Sequence, residues 1–168
     1  MFSFRLKSIH HNSLTGRCFI AITIRRARQE DQQTIVSLIR QAKLNPRNLR
    51  WENFLIAEEI GKVVGLRQVK THSQGTREVA SGFVLPEYRR RGISAQIMKE
   101  LLAGEQGPLY TMVNEKRAGY YEQFGFRRVD VSQLPADFRR EYQIGWIVTT
   151  LMSLFRKDRV RIIPLKRG

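Results

Sequence analysis

The fold is decided by one stretch, Val84-Leu85-Pro86-Glu87-Tyr88-Arg89-Arg90-Arg91-Gly92-Ile93-Ser94-Ala95-Gln96-Ile97-Met98, in which an apolar strand leads through a basic turn into a helix. The first N–H groups of a helix have no acceptor one turn earlier, and the positive end of the helix dipole lies behind them. Gly92 permits the tight turn that points these groups the same way. The stretch therefore predicts an anion site suited to a phosphate or a pyrophosphate.

Length and composition indicate one globular domain. The chain has 168 residues, of which 42% are hydrophobic, with 9 Phe, 5 Tyr and 2 Trp, and this is enough for a core. A single cysteine, Cys18, cannot form an intramolecular disulfide, so we expect a reducing, cytoplasmic environment. The acid-free residues 1–19 are interpreted as a basic extension, with an organelle-targeting segment as the alternative. The domain itself then covers residues 20–168.

The formal charge of +15 would favour binding to nucleic acid or to an anionic membrane surface, and these are the alternative partners. Most of this charge lies at the ends: residues 1–29 carry six basic and no acidic side chains, and residues 156–168 carry six basic and one acidic. We therefore interpret the ends as solubilising or docking segments and do not favour these partners. Cysteine and histidine show no metal-ligand spacing, so no metal is expected.

The spacing of apolar residues predicts an α/β (α+β) sheet with helices on both faces. Alternation predicts a first strand at residues 20–24, and a helical stripe follows at residues 30–44. A hairpin is predicted next, and further strands and helices alternate after it, at residues 54–57 and 63–66 (hairpin), 79–85, 109–113 and 126–131 (strands), and 97–102 and 115–124 (helices). A C-terminal helix and a last strand are predicted at residues 136–156 and 159–165.

Three groups of residues occur in an order that is informative only when they are taken together. They are the basic turn Arg89-Arg90-Arg91-Gly92-Ile93-Ser94, the segment Asn114-Glu115-Lys116-Arg117-Ala118-Gly119-Tyr120-Tyr121-Glu122-Gln123-Phe124-Gly125-Phe126, and an opening made of Ile24-Arg25-Arg26-Ala27, Glu30-Asp31, Phe54-Leu55-Ile56-Ala57-Glu58 and Gly61-Lys62-Val63-Val64-Gly65. The chain resembles the Gcn5-related N-acetyltransferase (GNAT) family on these residues, over about residues 20–131. The resemblance implies a mixed, largely antiparallel sheet of about seven strands and acetyl-CoA as co-substrate.

The resemblance also implies where coenzyme A binds. The turn would hold the pyrophosphate on its backbone N–H groups, and the strand before it would pair with the pantetheine arm. The expected contacts are Phe83, Val84, Leu85, Arg89, Arg90, Arg91, Gly92, Ile93, Ser94, Ala95, Asn114 and Tyr121. Ser94 departs from the family pattern, which has Gly or Ala there, and its hydroxyl can cap the helix or donate to a phosphate. The simpler alternatives are a solvated basic loop and an Asn114 that only caps a helix.

For catalysis, the resemblance implies Tyr121 as the general acid that protonates the leaving thiolate. Glu78, 14 residues before Gly92, is the candidate base, and the alternative is an exposed strand-end acid that faces Arg77 or Lys70. A backbone N–H near Val84 or Leu85 would polarise the thioester carbonyl.

The function expected from the resemblance is N-acetyl transfer from acetyl-CoA to a primary amine, by direct attack in a ternary complex. The acceptor, a small molecule or a protein, is not readable from the sequence. The alternatives are an acyl-CoA-sensing domain without turnover and a basic adaptor for nucleic acid or membrane. Residues 136–156 are interpreted as a core helix, with a membrane surface or a homodimer interface as the alternative.

Overall fold

The chain is built around a seven-stranded sheet. The computed structural model of the protein describes residues 21–154 and 160–168, so the expectations for the extension 1–19 lie outside the described residues. The strands are β1 (Thr23–Arg26), β2 (Phe54–Glu59), β3 (Lys62–Thr71), β4 (Arg77–Val84), β5 (Leu109–Asn114), β6 (Arg127–Arg128) and β7 (Ile162–Arg167). They lie in the order β1-β2-β3-β4-β5-β7-β6. Only β4 and β5 run parallel, and the prediction of a mixed, largely antiparallel sheet is confirmed.

Four α-helices accompany the sheet in the described residues: α1 (Gln32–Gln41), α2 (Ile93–Ala103), α3 (Ala118–Glu122) and α4 (Ala136–Leu154). Alternation along β5 shows that they cover both faces. Leu109 and Val113 lie in one apolar cluster with α2 and α3, whereas Tyr110 lies in another with Phe138 and Tyr142 of α4. Helices on both faces were predicted, and the prediction is confirmed.

Strand β3 is longer than the sequence predicts. The apolar pattern ends at Leu66, but the strand continues to Thr71, and the charged residues Arg67 and Lys70 are buried within it. Strand β6 is shorter than predicted, with two residues instead of the six from Phe126 to Val131. A charged residue therefore ends an apolar pattern without ending the strand that contains it.

Helix α4 is a core helix only along its first half. Phe138 and Tyr142 are buried against the sheet. Further along, the helix exposes between 38% and 55% of each of five large apolar side chains, Ile144, Trp146, Ile147, Val148 and Leu151. The expectation of a core helix over residues 136–156 is thus correct for the first two turns and wrong for residues 144–151, while residues 155 and 156 lie outside the described part of the chain. Among the described residues, no helix is long and apolar enough to cross a bilayer.

A buried carboxylate, that of Asp31, joins β1 to the start of α1. Asp31 accepts hydrogen bonds from the Arg25 guanidinium at 2.7 Å and from the Arg28 backbone N–H at 2.7 Å. Arg25 also contacts Glu58 of β2 at 2.6 Å. The hydrogen bond from Arg25 is the main reason why the pKa of Asp31 lies below its ordinary value. This network fixes α1, whose C-terminal end borders the cleft described below.

The variant Asp31→Asn is expected to lower the free energy of unfolding at pH 7 by about 2 kcal/mol, because it removes a charge-assisted contact. Since the folded-state pKa lies below the unfolded value of about 3.9, this stabilisation is complete above that value. It is lost as the pH falls through the lower folded-state pKa. Urea unfolding of both proteins between neutral and strongly acidic pH measures the difference.

The matched control is Glu30→Gln in the same turn. Glu30 faces Arg28 in an exposed pair, so little change in stability is expected. A difference between wild type and Asp31→Asn that stays constant down to strongly acidic pH would contradict the assignment.

Candidate functional site

The sheet opens between its two parallel strands. Strands β4 and β5 pair at only two positions, Arg77 with Leu109 and Glu78 with Tyr110. One residue further along, the Thr111 hydroxyl donates to the Val79 carbonyl at 2.8 Å. Beyond this point no β4–β5 pairing is present, so the rest of β4 presents a free backbone edge.

A bulge in β4 sets the direction of this edge. Leu66 pairs with Phe83, but Gln68 pairs with Ala80, so β4 carries one extra residue. Ser81 takes up that residue in a left-handed conformation with φ 56°, and the Gln68 amide donates to its hydroxyl at 2.8 Å. Bulges of this kind bend a strand and re-aim the side chains that follow. As a result, two residues an even number of positions apart lie on opposite faces of the sheet when Ser81 stands between them.

Only one of the two predicted backbone groups of β4 faces the opening. The Leu85 N–H donates to the Val64 carbonyl at 2.9 Å, so it is not available for a ligand. Val84 pairs with Gly65 in the next register position, where an antiparallel ladder turns the N–H and C=O away from the partner strand. The backbone of Val84 therefore faces the opening, and Leu85 is corrected to a core residue.

The basic turn forms the expected cradle at the start of α2. Gly92 has a left-handed conformation with φ 74° and ψ 0°, and its carbonyl accepts from the N–H groups of Ala95 and Gln96 at 3.0 Å each. Arg90 is also left-handed, with φ 62°, a conformation that costs a side chain with a Cβ about 1–2 kcal/mol. The N–H groups of Ile93 and Ser94 precede the first intrahelical donors. The turn thus presents N–H groups at the positive end of α2.

The three arginines of the turn differ in their contacts. The Arg89 Nε donates to the Val84 carbonyl at 3.2 Å. Arg91 pairs with Glu59 at 3.0 Å and lies 5.0 Å from the ring centre of Tyr88, so its charge is partly compensated. Arg90 is exposed.

A cleft of about 640 Å³ lies between the turn, α3 and the C-terminal end of α1. Five of the predicted residues line it, namely Phe83, Val84, Arg89, Ser94 and Tyr121. Ile93 is buried in the core. Asn114 accepts from the Lys116 N–H at 3.0 Å and caps a turn of 3-10 helix, so the structure does not bring it to the cleft. Its contact with coenzyme A stays a prediction.

Tyr121, Ser94 and a third residue, Arg67, meet inside the cleft. Arg67 donates to the Tyr121 hydroxyl at 3.1 Å and to the Ser94 hydroxyl at 3.4 Å. The hydroxyls of Ser94 and Tyr120 are 2.7 Å apart. Ser94 is therefore a member of a hydrogen-bond network and does not serve as the N-terminal cap, a position that Gly92 occupies.

Arg67 is not among the residues predicted from the sequence, because its strand was predicted to end one residue earlier. A signal was available: Arg67 lies between the apolar residues Leu66 and Val69 of the same strand, and charged residues are almost never fully buried without a reason. Arg117, an exposed residue of the lining, was also missed.

Glu78 lies on the opposite face of the sheet from Tyr121. Its carboxylate is buried and contacts Lys70 at 3.0 Å and His72 at 2.9 Å. His72 packs edge-on against Phe138 of α4, whereas Tyr121 packs with the α2 and α3 cluster. The alternative of an exposed acid is wrong, although Lys70 is the partner that this alternative named. The role of Glu78 as a base stays a prediction, and the structure does not bring it to Tyr121.

The cleft is electropositive. Its lining contains three arginines, Arg67, Arg89 and Arg117, and no acidic residue. Within residues 21–154 and 160–168, no three His, Cys, Asp or Glu side chains form a group able to hold a metal ion. The geometry suits a ligand with several negative charges, bound by arginines and backbone N–H groups.

Comparison with models of protein families shows which family this chain is similar to. Residues 50–128, just under half of the chain, match the model of the acetyltransferase (GNAT) domain. Residues 50–128 are therefore similar to GNAT acetyltransferase domains. The match contains β2 to β5, the basic turn, α2 and Tyr121, so the resemblance predicted from the sequence is confirmed.

Solved structures of similar fold extend the likeness beyond the matched GNAT domain. N-acetylglutamate synthase from Neisseria gonorrhoeae, complexed with coenzyme A and N-acetyl-glutamate, has a TM-score of 0.66 and 19% identity over 88% of this chain. This chain spans only 35% of that protein. Rv2747 from Mycobacterium tuberculosis, complexed with coenzyme A, has a TM-score of 0.65 and 22% identity over 86% of this chain and 98% of its own.

A third solved structure is diaminobutyrate acetyltransferase EctA from Paenibacillus lautus, complexed with L-2,4-diaminobutyric acid and coenzyme A. Its TM-score is 0.58, with 17% identity over 89% of this chain and 95% of its own. At these identities the likeness establishes the fold. None of the curated protein sequences compared with the chain matches it significantly.

The variant Glu78→Gln is expected to lower the free energy of unfolding by about 3–5 kcal/mol, because it leaves the buried Lys70 without its counter-charge. Chemical denaturation measures the loss. The control is Glu87→Gln, which removes an exposed pair with Lys62 at 3.3 Å and should change stability little. Similar stabilities of the two variants would contradict the structural role of the Glu78 pair.

Proposed function

We propose that the protein is an N-acetyltransferase that transfers the acetyl group of acetyl-CoA to a primary amine in a ternary complex. The observation that carries this proposal is that Arg89 and Ser94, which flank the N–H cradle at Gly92, line one electropositive cleft together with Tyr121. An anion held at the turn would leave the other end of a long ligand beside Tyr121. This is the arrangement that a pyrophosphate-containing thioester requires.

In the proposed reaction the amine nitrogen attacks the thioester carbonyl, forming a C–N bond as the C–S bond breaks. The thiolate that leaves takes a proton from Tyr121, and the proton that the new C–N nitrogen loses after attack restores the phenol. The Tyr121 oxygen accepts a hydrogen bond from Arg67, and this leaves the phenolic proton free to be donated. The Val84 N–H, which faces the opening, is the proposed donor to the carbonyl oxygen as negative charge develops.

The proton lost by the amine needs a separate route, since no carboxylate of the described residues lines the cleft. An alkylammonium has a pKa near about 10, so it must be deprotonated before attack. We propose that water in the cleft removes this proton. Glu78, buried on the other face in contact with Lys70 and His72, is the less supported candidate.

The similar structures support a small amine as the acceptor. All three described above were crystallised with coenzyme A. One also holds the diamine L-2,4-diaminobutyric acid, and another holds the acetylated amine N-acetyl-glutamate. A protein acceptor is the alternative.

Wild-type protein is expected to bind coenzyme A in calorimetry, and Gly92→Ala is expected to bind it roughly tenfold more weakly. A Cβ at Gly92 meets no atom, so the cost is that of the left-handed backbone, about 1–2 kcal/mol. Relief of this strain would change the backbone of the turn and move its N–H groups.

The control is Gly75→Ala. Gly75 is also left-handed, with φ 87° and open space around it, but it lies in the turn between β3 and β4, away from the cleft lining. We expect the same loss of stability as in Gly92→Ala and unchanged binding. Absence of coenzyme A binding by the wild-type protein would refute the proposed function.

Tyr121→Phe is expected to lower kcat by roughly 100-fold, because a positioned general acid contributes about 10²–10⁴. Binding of coenzyme A should stay within about threefold. The measurement is thiol release from acetyl-CoA with a panel of amines, and the control is Tyr120→Phe, which keeps the Tyr121 hydroxyl. If no amine in the panel releases thiol from wild type that binds coenzyme A, the acyl-CoA-sensing alternative is favoured.

A further inference from the structure

Arg67 is a buried cation whose partners are neutral. Arg67 is only 4% exposed, and it donates hydrogen bonds to the hydroxyls of Tyr121 and Ser94. The guanidinium carbon also lies 5.5 Å and 6.0 Å from the ring centres of Tyr121 and Tyr120. Throughout residues 21–154 and 160–168, no carboxylate forms an ion pair with it.

The other buried charged side chains of the described region are compensated. Lys70 and Glu78 pair with each other, and Asp31 pairs with Arg25. Asp137 accepts hydrogen bonds from the Thr76 hydroxyl and from the backbone N–H groups of Gln74 and Phe138. Burial of a charge without a counter-charge costs several kcal/mol. Arg67 and Asp137 are thus the two buried charged residues of the described region without a counter-charge, and Arg67 is the exception in that it lines the cleft.

The backbone makes room for this exception at Gly82. A Cβ built on Gly82 would overlap the Arg67 guanidinium, so the glycine lets the side chain lie flat against the bulged strand. The guanidinium faces the cleft, where it is part of the lining. Both the cation and the space for it are therefore built into the strand pair that forms the opening.

We propose that Arg67 binds a carboxylate carried by a substrate at the reacting end of the cleft. A guanidinium offers five N–H donors in a planar fork that matches a carboxylate. Coenzyme A phosphates are expected at the exposed turn near Gly92, whereas Arg67 is buried beside the Tyr121 hydroxyl. This inference rests on the proposed acetyl transfer and narrows its substrate to a carboxylate-bearing molecule.

The carboxylate has two sources that share this chemistry. It belongs either to the acceptor, as in an amino acid, or to the acyl group of the thioester, as in succinyl-CoA. In the first case the amine of the same molecule attacks the thioester. In the second, the carboxylate anchors the acyl chain beside Tyr121.

The test measures thiol release with matched substrates, and the readout is a ratio of kcat/KM values. One arm compares α-amino acids with their amides, using acetyl-CoA. The other compares succinyl-CoA with acetyl-CoA, using one amine. Wild type is expected to prefer the carboxylate member of one pair by at least tenfold, and Arg67→Gln should reduce that ratio by roughly 10- to 100-fold.

Arg67→Gln also removes the hydrogen bond to Tyr121, which lowers kcat/KM equally for both members of a pair. This loss does not change the ratio of the two kcat/KM values. Gly82→Ala keeps the charge but displaces the guanidinium, so it should reduce the same ratio. Arg117→Gln removes an exposed arginine of the same cleft and should leave the ratio unchanged. Circular dichroism confirms folding of each variant.

Ratios that Arg67→Gln and Gly82→Ala leave unchanged overturn the proposal, whichever pair is used. So does weaker coenzyme A binding in Arg67→Gln with both ratios intact, because Arg67 would then serve the coenzyme. If wild type binds coenzyme A but turns over none of these substrates, the same ratios are measured as affinities by calorimetry. The coenzyme-loaded protein is titrated with amino acids and amides, and the free protein with succinyl-CoA and acetyl-CoA. Failure of the proposed function is distinguishable, since it is the absence of coenzyme A binding itself.

Discussion

The interruption of pairing between β4 and β5 is the constraint on which the rest of the site depends. A parallel pair of full length would satisfy the backbone of both strands and leave no edge for a ligand. Here pairing stops after two positions, and the bulge at Ser81 turns the remainder of β4 away. The turn that follows then delivers the N-terminus of α2 beside the opening. The free edge of β4 and the cleft beside it follow from this one departure.

The parts of this arrangement that local backbone chemistry controls were predictable from the sequence. Gly92 marks the turn because only glycine adopts φ 74° at little cost, and the apolar stripe of α2 follows it directly. The hairpin predicted at residues 54–57 and 63–66 is present for the same reason, since Gly61 in its turn is left-handed. Tyr121 was identified through family resemblance, which supplied the spacing between the turn and α3.

The parts that depend on pairing between strands were not predictable. Val79 and Val84 lie on the same face although they are five positions apart, because the bulge adds one residue between them. Simple alternation would therefore place Glu78 on the face of Val84, whereas the structure places it on the other, against Lys70 and His72. The burial of Arg67 likewise depends on contacts with Gly82 and α3 that no local pattern records. Long-range register decides which side of a sheet a strand residue occupies, and one residue of slip reverses the answer.

The two-residue ladder between β4 and β5 also divides the sheet mechanically. Strands β1 to β4 form one antiparallel unit, and β5 to β7 form another. Besides the Thr111 hydroxyl bond to Val79, the packing of α2 on both units joins them, and so does α4, which packs on Tyr110 and bonds Thr76 through Asp137. Opening free energies in a protein differ among such cooperative units, and a ligand that contacts both raises the free energy of separating them by mass action. A thioester that spans the opening would act as a clamp between two half-sheets, so occupancy of the cleft and cohesion of the fold would rise together.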